Sequence, residues 1–173
     1  QARASLEPFQ GRQPKEIATV QQRVNRYLLD RLYSCSWAAT RPSTDLIDAV
    51  LSSPCPDLVD AMQRITSLQQ LNGRPALLRA AKINERTRNI LRPAGAIPSL
   101  AVNPDRFQEP LERQLWERYQ THHDAFLRLI ATRSYAEATT LYGEAFFDVL
   151  HEFFERVLVN AQEDAVKQNR LAL

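Results

Sequence analysis

Apolar residues recur along this chain at three- and four-residue spacing, the rhythm of one buried helical face. After a polar, proline-punctuated lead-in over residues 1–14, the positions Ile17, Val20, Val24, Tyr27, Leu28 and Leu32 keep that spacing, with Pro14 suited to a first helical turn. A short second helix is predicted over Asp45 to Leu51, carrying Leu46, Ile47, Val50 and Leu51. The run Ser52-Ser53-Pro54-Cys55-Pro56 ends it, and a third helix is expected from about Asp57 to Leu71, stopped by Asn72-Gly73.

The fourth segment, Pro75 to Leu91, sets Leu77, Ala80, Ile83, Thr87, Ile90 and Leu91 on one side and most of its basic residues elsewhere. From Pro93 to Pro110 four prolines and almost no periodicity predict a long extended loop. A fifth helix should run from about Pro110 to Arg133, with Leu111, Leu115, Tyr119, Phe126, Leu129 and Ile130 facing inward. The pattern from Tyr135 onward continues to Val157, but Gly143 lies inside it and Asp148 could cap a new start, which favours two helices over one. Asn160 and Glu163 fit a variant capping box for a last helix. No alternating apolar-polar run argues for a sheet, so the fold class is all-α, a bundle of about six to eight helices.

Length and composition narrow the rest. At 173 residues and 44% apolar content the chain can bury one sizeable core, so a single domain over 1–173 is the default. Four glycines against ten prolines suit long segments divided by hinges. With 22 basic and 20 acidic residues the net charge is +2, so any case for nucleic acid must be local. Cys35 and Cys55 lack metal-ligand spacing and form no disulfide framework, as in an ordinary reduced protein. No run approaches the length of a membrane span and no signal-peptide pattern opens the chain, so a cytoplasmic location is expected, or an organellar stroma in a plant or alga. A start at Gln1 and an end at Leu173 inside an amphipathic pattern suggest a piece of a longer polypeptide.

Candidate chemistry is sparse. His122-His123-Asp124 invites a metal reading, but no histidine precedes position 122, so the ligand set of a metal-dependent helical phosphohydrolase cannot be completed and a polar helical surface is the better account. Nucleophile-elbow, dinucleotide and phosphate-loop templates are missing. Glu163-Asp164 sits at a helix start, where the dipole explains it. What remains is the fourth helix, where Arg74, Arg79, Lys82, Arg86, Arg88 and Arg92 face one acid, Glu85. Arg79, Lys82, Arg86 and Asn89 fall within about a quarter-turn stripe. Such a stripe is often only a solvated face. Its composition nonetheless suits single-stranded RNA: guanidinium groups pair with phosphates, Asn89 could read a base edge, and Glu85 could accept from a cytosine amino group. Tyr33, Trp37 and Trp116 could offer stacking surfaces, with core packing as the alternative.

Two stretches carry a family resemblance. The run from Phe153-Phe154-Glu155-Arg156-Val157 through Glu163-Asp164-Ala165-Val166-Lys167-Gln168-Asn169-Arg170-Leu171 resembles the end of the β subunit of bacterial-type, two-subunit glycyl-tRNA synthetases. Ala81-Lys82-Ile83-Asn84-Glu85-Arg86-Thr87-Arg88-Asn89-Ile90-Leu91 is similar to that family's Ala-Asn-Lys-Arg-Val-x-Asn-Ile-Leu element, with weaker support from Leu29-Asp30-Arg31-Leu32, Asp48-Ala49-Val50-Leu51 and Phe107-Gln108-Glu109-Pro110. Glu85 departs from the family's usual Lys, and the proline usual before the Phe-Phe pair is replaced around Val149. The resemblance implies a helical anticodon-binding domain like that of arginyl-tRNA synthetase, without a catalytic centre or cofactor of its own. It implies glycine tRNA and the α subunit as partners, with neither membrane nor DNA, and ATP and Mg²⁺ in the α subunit that performs aminoacylation. The RNA contacts it implies are Arg79, Lys82, Arg86, Arg88, Asn89 and Arg92, with Lys167 and Arg170 on the last helix. Glycine anticodons end in two cytosines, which suits the proposed base reading; a scaffold that docks the α and β subunits is the alternative.

Overall fold

The computed structural model describes residues 20, 23–24, 26–28, 30–34, 41–55, 57–94 and 101–173. Among them every regular element is helical, as the apolar spacing requires. The predictions placed on Pro14, Ile17, Leu29, Cys35 and Trp37 lie outside the described residues. The chain divides between Gln69 and Gln70 into two compact units.

In the first unit the described residues between Val20 and Asp30 are helical and lead into a 3-10 turn, Arg31–Tyr33. Helix α1, Thr44–Leu51, and most of helix α2, Leu58–Leu71, follow. Leu32, Ile47, Val50, Ala61 and Ile65 are buried together, and the backbone N–H of Asp60 donates to the Asp57 carboxylate (2.7 Å), satisfying a donor at the start of α2. Tyr33 leans on this core and donates its hydroxyl to Asp48. Carboxylate contact and partial burial both push its phenol above the ordinary value. It is committed to packing rather than offered for stacking.

The second unit holds helices α3 (Pro75–Ala94), α4 (Pro110–Ala131), α5 (Tyr135–Arg156) and α6 (Asp164–Ala172). Gly73 (φ 77°) occupies the left-handed conformation between α2 and α3, the stop that Asn72-Gly73 predicts. Helix α3 runs past Leu91 and takes Pro93 into its last turn, so Pro93 and Ala94 belong to the helix and not to the loop expected from Pro93; residues 95–100 lie outside the described residues. Helix α4 ends in a Schellman arrangement: Ser134 N–H reaches Leu129 O (2.8 Å), Arg133 N–H reaches Ile130 O (3.0 Å), and Arg133 takes φ 56°. Leu115 is deeply buried as predicted, but Tyr119 and Ile130 are about two-fifths exposed, at 40% and 39%.

Helix α5 is one continuous helix, not two. Gly143 is buried, and a Cβ there would stand 2.5 Å from the Ala76 carbonyl oxygen and 3.3 Å from the Ala80 nitrogen. The glycine therefore permits close contact with α3 and does not break α5. Contacts further along, Arg79 over Phe147 and Arg86 over Phe154, keep nearly the same sequence offset. A constant offset means that α3 and α5 run parallel, in register, from one end of the interface to the other. Helix α4 packs on α5 in the opposite sense, as the short Thr132–Ser134 turn requires.

The last helix begins at Asp164, preceded by Glu163, and no side-chain cap is formed. Asn160 is exposed four residues upstream and does not cap it. What fixes α6 is its other end. Asn169 Oδ1 accepts from Asn103 N–H (2.7 Å) while Asn169 Nδ2 donates to Asn103 O (3.1 Å), clamping the segment before the 3-10 turn Pro104–Arg106. The described end of the long connection is thus tied to the bundle, an outcome that composition alone does not predict.

Candidate functional site

The basic helix α3 buries one face and exposes the other. Ala76, Ala80 and Ile83 are buried, with Thr87, Ile90 and Leu91 half-buried beside them. At about 100° per residue, Lys82, Glu85, Arg88, Asn89 and Arg92 occupy the opposite arc, and all five are exposed. Among the described residues Lys82, Arg88 and Arg92 form no ion pair, so their charges face solvent.

Arg79 and Arg86 lie on the shoulder between this arc and α5. The Arg79 guanidinium sits 5.5 Å from the centroid of the Phe147 ring. Arg86 is held more completely: it donates to a Glu155 carboxylate oxygen, lies 3.0 Å from His151 Nδ1, and covers the Phe154 ring at 5.5 Å. The Phe147 and His151 rings are parallel, 6.0 Å apart. Lys82, Glu85, Arg86, Asn89, Phe147 and His151 together line a shallow recess of about 300 Å³. It presents cationic, amide and carboxylate groups beside aromatic faces, which is the mixture a nucleotide requires.

Sequence reasoning found the α3 half of this recess and missed the α5 half. The signal was nevertheless present: Arg79 and Arg86 are seven residues apart, and so are Phe147 and Phe154. Matching seven-residue spacings on two helices are what a registered parallel pair needs.

The two candidate residues on α6 separate. Lys167 is half-buried. Arg170 is buried, its Nε donating to Glu112 Oε1 (2.9 Å) and its guanidinium also to Leu158 O (3.0 Å). It is a core anchor and leaves the set of surface RNA contacts. Its partner Glu112, fully buried at 0% exposure, also accepts from the Gln108 and Glu109 amides (2.7 and 2.6 Å). Burial by itself pushes the Glu112 carboxyl up, but the Arg170 and backbone hydrogen bonds and the Arg170 charge outweigh it and hold the group below the usual carboxylate range.

Trp116 is half-buried and stacks on Tyr119 at 5.2 Å. It stands on α4 and does not line the α3–α5 recess. His123 lies 3.1 Å from its neighbour Asp124, and His122 packs edge-on against Phe146. Among the described residues no three His, Cys, Asp or Glu side chains gather as a metal would need. An apolar cavity of about 400 Å³ opens nearby, walled by residues that include Ile90, Leu115, Tyr119, Phe126, Phe146 and Leu173. No described helix is long and apolar enough to cross a membrane.

Comparison with known proteins gives a consistent result. The chain is 31% identical over 150 residues, 87% of its length, to the glycine–tRNA ligase β subunit of Dichelobacter nodosus. It is 33% identical over 135 residues, 78% of its length, to that of Geobacter metallireducens, and 30% identical to that of Anaeromyxobacter dehalogenans over an alignment of 168 positions that covers 90% of the chain. The matches cover 21%, 19% and 22% of those relatives, so the chain spans about a fifth of their length. No family model matches it.

Proposed function

We propose, because the chain belongs to the glycine–tRNA ligase β-subunit family, that the exposed arc of α3 grips the anticodon region of glycine tRNA. In this reading the chain supports glycine–tRNA ligation as a binding module. The chemistry, with ATP and Mg²⁺, belongs to the α subunit. The observation that carries the reading is the set of exposed cations Lys82, Arg88 and Arg92 around Asn89, on a helix whose other face is fixed in a core. In this reading the exposed cations contact phosphates and set affinity, whereas Asn89 and Glu85 read base edges.

The test is fluorescence anisotropy of this chain with a glycine tRNA anticodon stem-loop at two salt concentrations, with the cytosine pair intact or replaced. Wild-type binding should weaken steeply with salt, and Lys82→Met/Arg88→Met/Arg92→Met should flatten that dependence by about 0.7–0.9 in log–log slope per lost phosphate contact. Replacing the cytosines should weaken binding further. A triple variant with unchanged affinity and slope rules out this face as the RNA surface.

The 400 Å³ apolar cavity supports a second reading, a docking site for the α subunit. Binding of the purified α subunit to this chain that is insensitive to salt, and lost on Phe146→Ala, would favour it.

A further inference from the structure

Among the described residues, Arg86 is the cation of α3 that is held by an acid from another helix. Its carboxylate partner, Glu155, is more than half exposed (58%) and Arg86 about one-third exposed (34%), so the pair lies at the surface. Such pairs contribute little to stability because water competes for both charges. Arg86 also keeps two contacts that do not depend on Glu155: the Phe154 ring beneath it and His151 Nδ1 beside it. The guanidinium would therefore stay in place if the carboxylate left. It lies on the rim of the recess that Lys82 and Asn89 share.

Beside Glu155 on α5, Glu152 is turned to Arg156 at 2.9 Å, and Asp148, exposed two turns before Glu155, does not line the recess. Glu85 is exposed on α3 itself and lines the same recess. Among the described carboxylates of this face, Glu155 is thus the one that occupies a guanidinium of α3. Planar guanidinium groups bind carboxylate and phosphate oxygens through the same donor fork, and the phosphate brings comparable charge with more acceptor oxygens.

We infer that Glu155 is a carboxylate place-holder for an RNA phosphate: it occupies Arg86 in the free protein and yields the guanidinium when RNA enters the α3–α5 recess. This rests on the reading of α3 as an RNA face. Arg86 then has two successive roles, bracing α3 against α5 before binding and clamping a phosphate after it. Opening the Glu155 pair subtracts from affinity for every RNA, so a ligand needs additional contacts at Lys82 and Asn89 to be retained.

The experiment is a double-mutant cycle on the 173-residue chain, using anisotropy with a glycine tRNA anticodon stem-loop for wild type, Glu155→Gln, Arg86→Met and the double variant. Circular dichroism checks that each keeps its helix content. Glu155→Gln should tighten binding by about two- to fivefold, the range set by an exposed ion pair. In the Arg86→Met background the same substitution should change affinity by less than about 1.5-fold, because the released group is absent. Tightening of equal size in both backgrounds would mean that Glu155 acts only as a nearby negative charge, and would overturn the inference. So would unchanged affinity in Glu155→Gln when wild type binds and Lys82→Met/Arg88→Met/Arg92→Met does not. If that triple variant binds like wild type, the RNA face itself is wrong and the place-holder falls with it.

Discussion

Replacing Arg170 by Met should unfold much of the second unit's stability margin without touching its surface. The substitution keeps an unbranched apolar stem but deletes the guanidinium that neutralises Glu112, a carboxylate with 0% exposure. Breaking one side of a buried pair costs about 3–5 kcal/mol, since the remaining charge is stranded. Glu112 retains the Gln108 and Glu109 amides, which places the loss near the lower end, about 3 kcal/mol. The Leu158 carbonyl also loses a donor. Against a total of about 5–15 kcal/mol for a domain, that is a large share. Urea unfolding at pH 7, followed by Trp116 fluorescence in a Trp37→Phe background, reports on α4 directly. Lys167→Met, three residues earlier on α6 and half-buried, is the control and should stay within about 0.5 kcal/mol. Adding Glu112→Gln to Arg170→Met should recover part of the loss, because a neutral amide needs no counter-charge. A loss below about 1 kcal/mol for Arg170→Met, or a double variant as unstable as the sum of the singles, would refute the buried-pair account.

Two further outcomes follow from the same geometry. Gly143→Ala should lower the thermal midpoint, because its Cβ would meet the Ala76 carbonyl at 2.5 Å; overpacking of this kind costs about 1–3 kcal/mol, more than the gain of up to about 1 kcal/mol in helix propensity. A raised midpoint would mean that α3 and α5 can part freely. Acid should expose the Glu112 contribution: its folded pKa is held below the unfolded value, so its stabilisation is complete above the unfolded carboxyl pKa of about 4.3 and is lost as pH falls through the lower folded value. Glu112→Gln should therefore flatten the fall of unfolding free energy with pH in that acid window, and parallel curves for wild type and variant would contradict the assignment.

The helices were legible because each carries its own apolar face: Ile47 and Val50, Ile83 and Thr87, Leu115, Val149 and Phe153 sit at three- and four-residue steps and point into cores. The errors arose where a residue's role depends on a distant neighbour. Gly143 reads as a breaker until Ala76 is brought against it, and Asn160 reads as a cap until α6 starts at Asp164. Pro93 reads as a stop before the proline, yet the helix includes it and runs on to Ala94. Half of the candidate site was visible as the basic arc of α3. The other half, Phe147, His151 and Glu155, became part of it only through a parallel pairing whose sole trace in the sequence is the shared seven-residue spacing.

The part of the family resemblance that lies on the last helix rests on buried residues, not on the exposed arc of α3. Asn169, Arg170 and Leu171 are buried, tied to Asn103, to Glu112 and to the core around Leu115 and Phe153. Their chemistry is that of an internal brace: an amide closing two backbone hydrogen bonds and a guanidinium neutralising a carboxylate that would otherwise be stranded. That part of the resemblance identifies how the bundle is built. The exposed arc of α3 is under no such packing constraint, and it is where the chain departs from the family by placing Glu85 among its cations. A carboxylate between Lys82, Arg86 and Asn89 lowers the attraction for phosphate but adds an acceptor for a base amino group. On the reading of α3 as an RNA face, strength of grip is exchanged for selectivity at that position, so Glu85→Lys should tighten binding to the stem-loop while narrowing the difference between intact and replaced cytosines. Tighter binding with the cytosine preference undiminished would show that Glu85 reads no base.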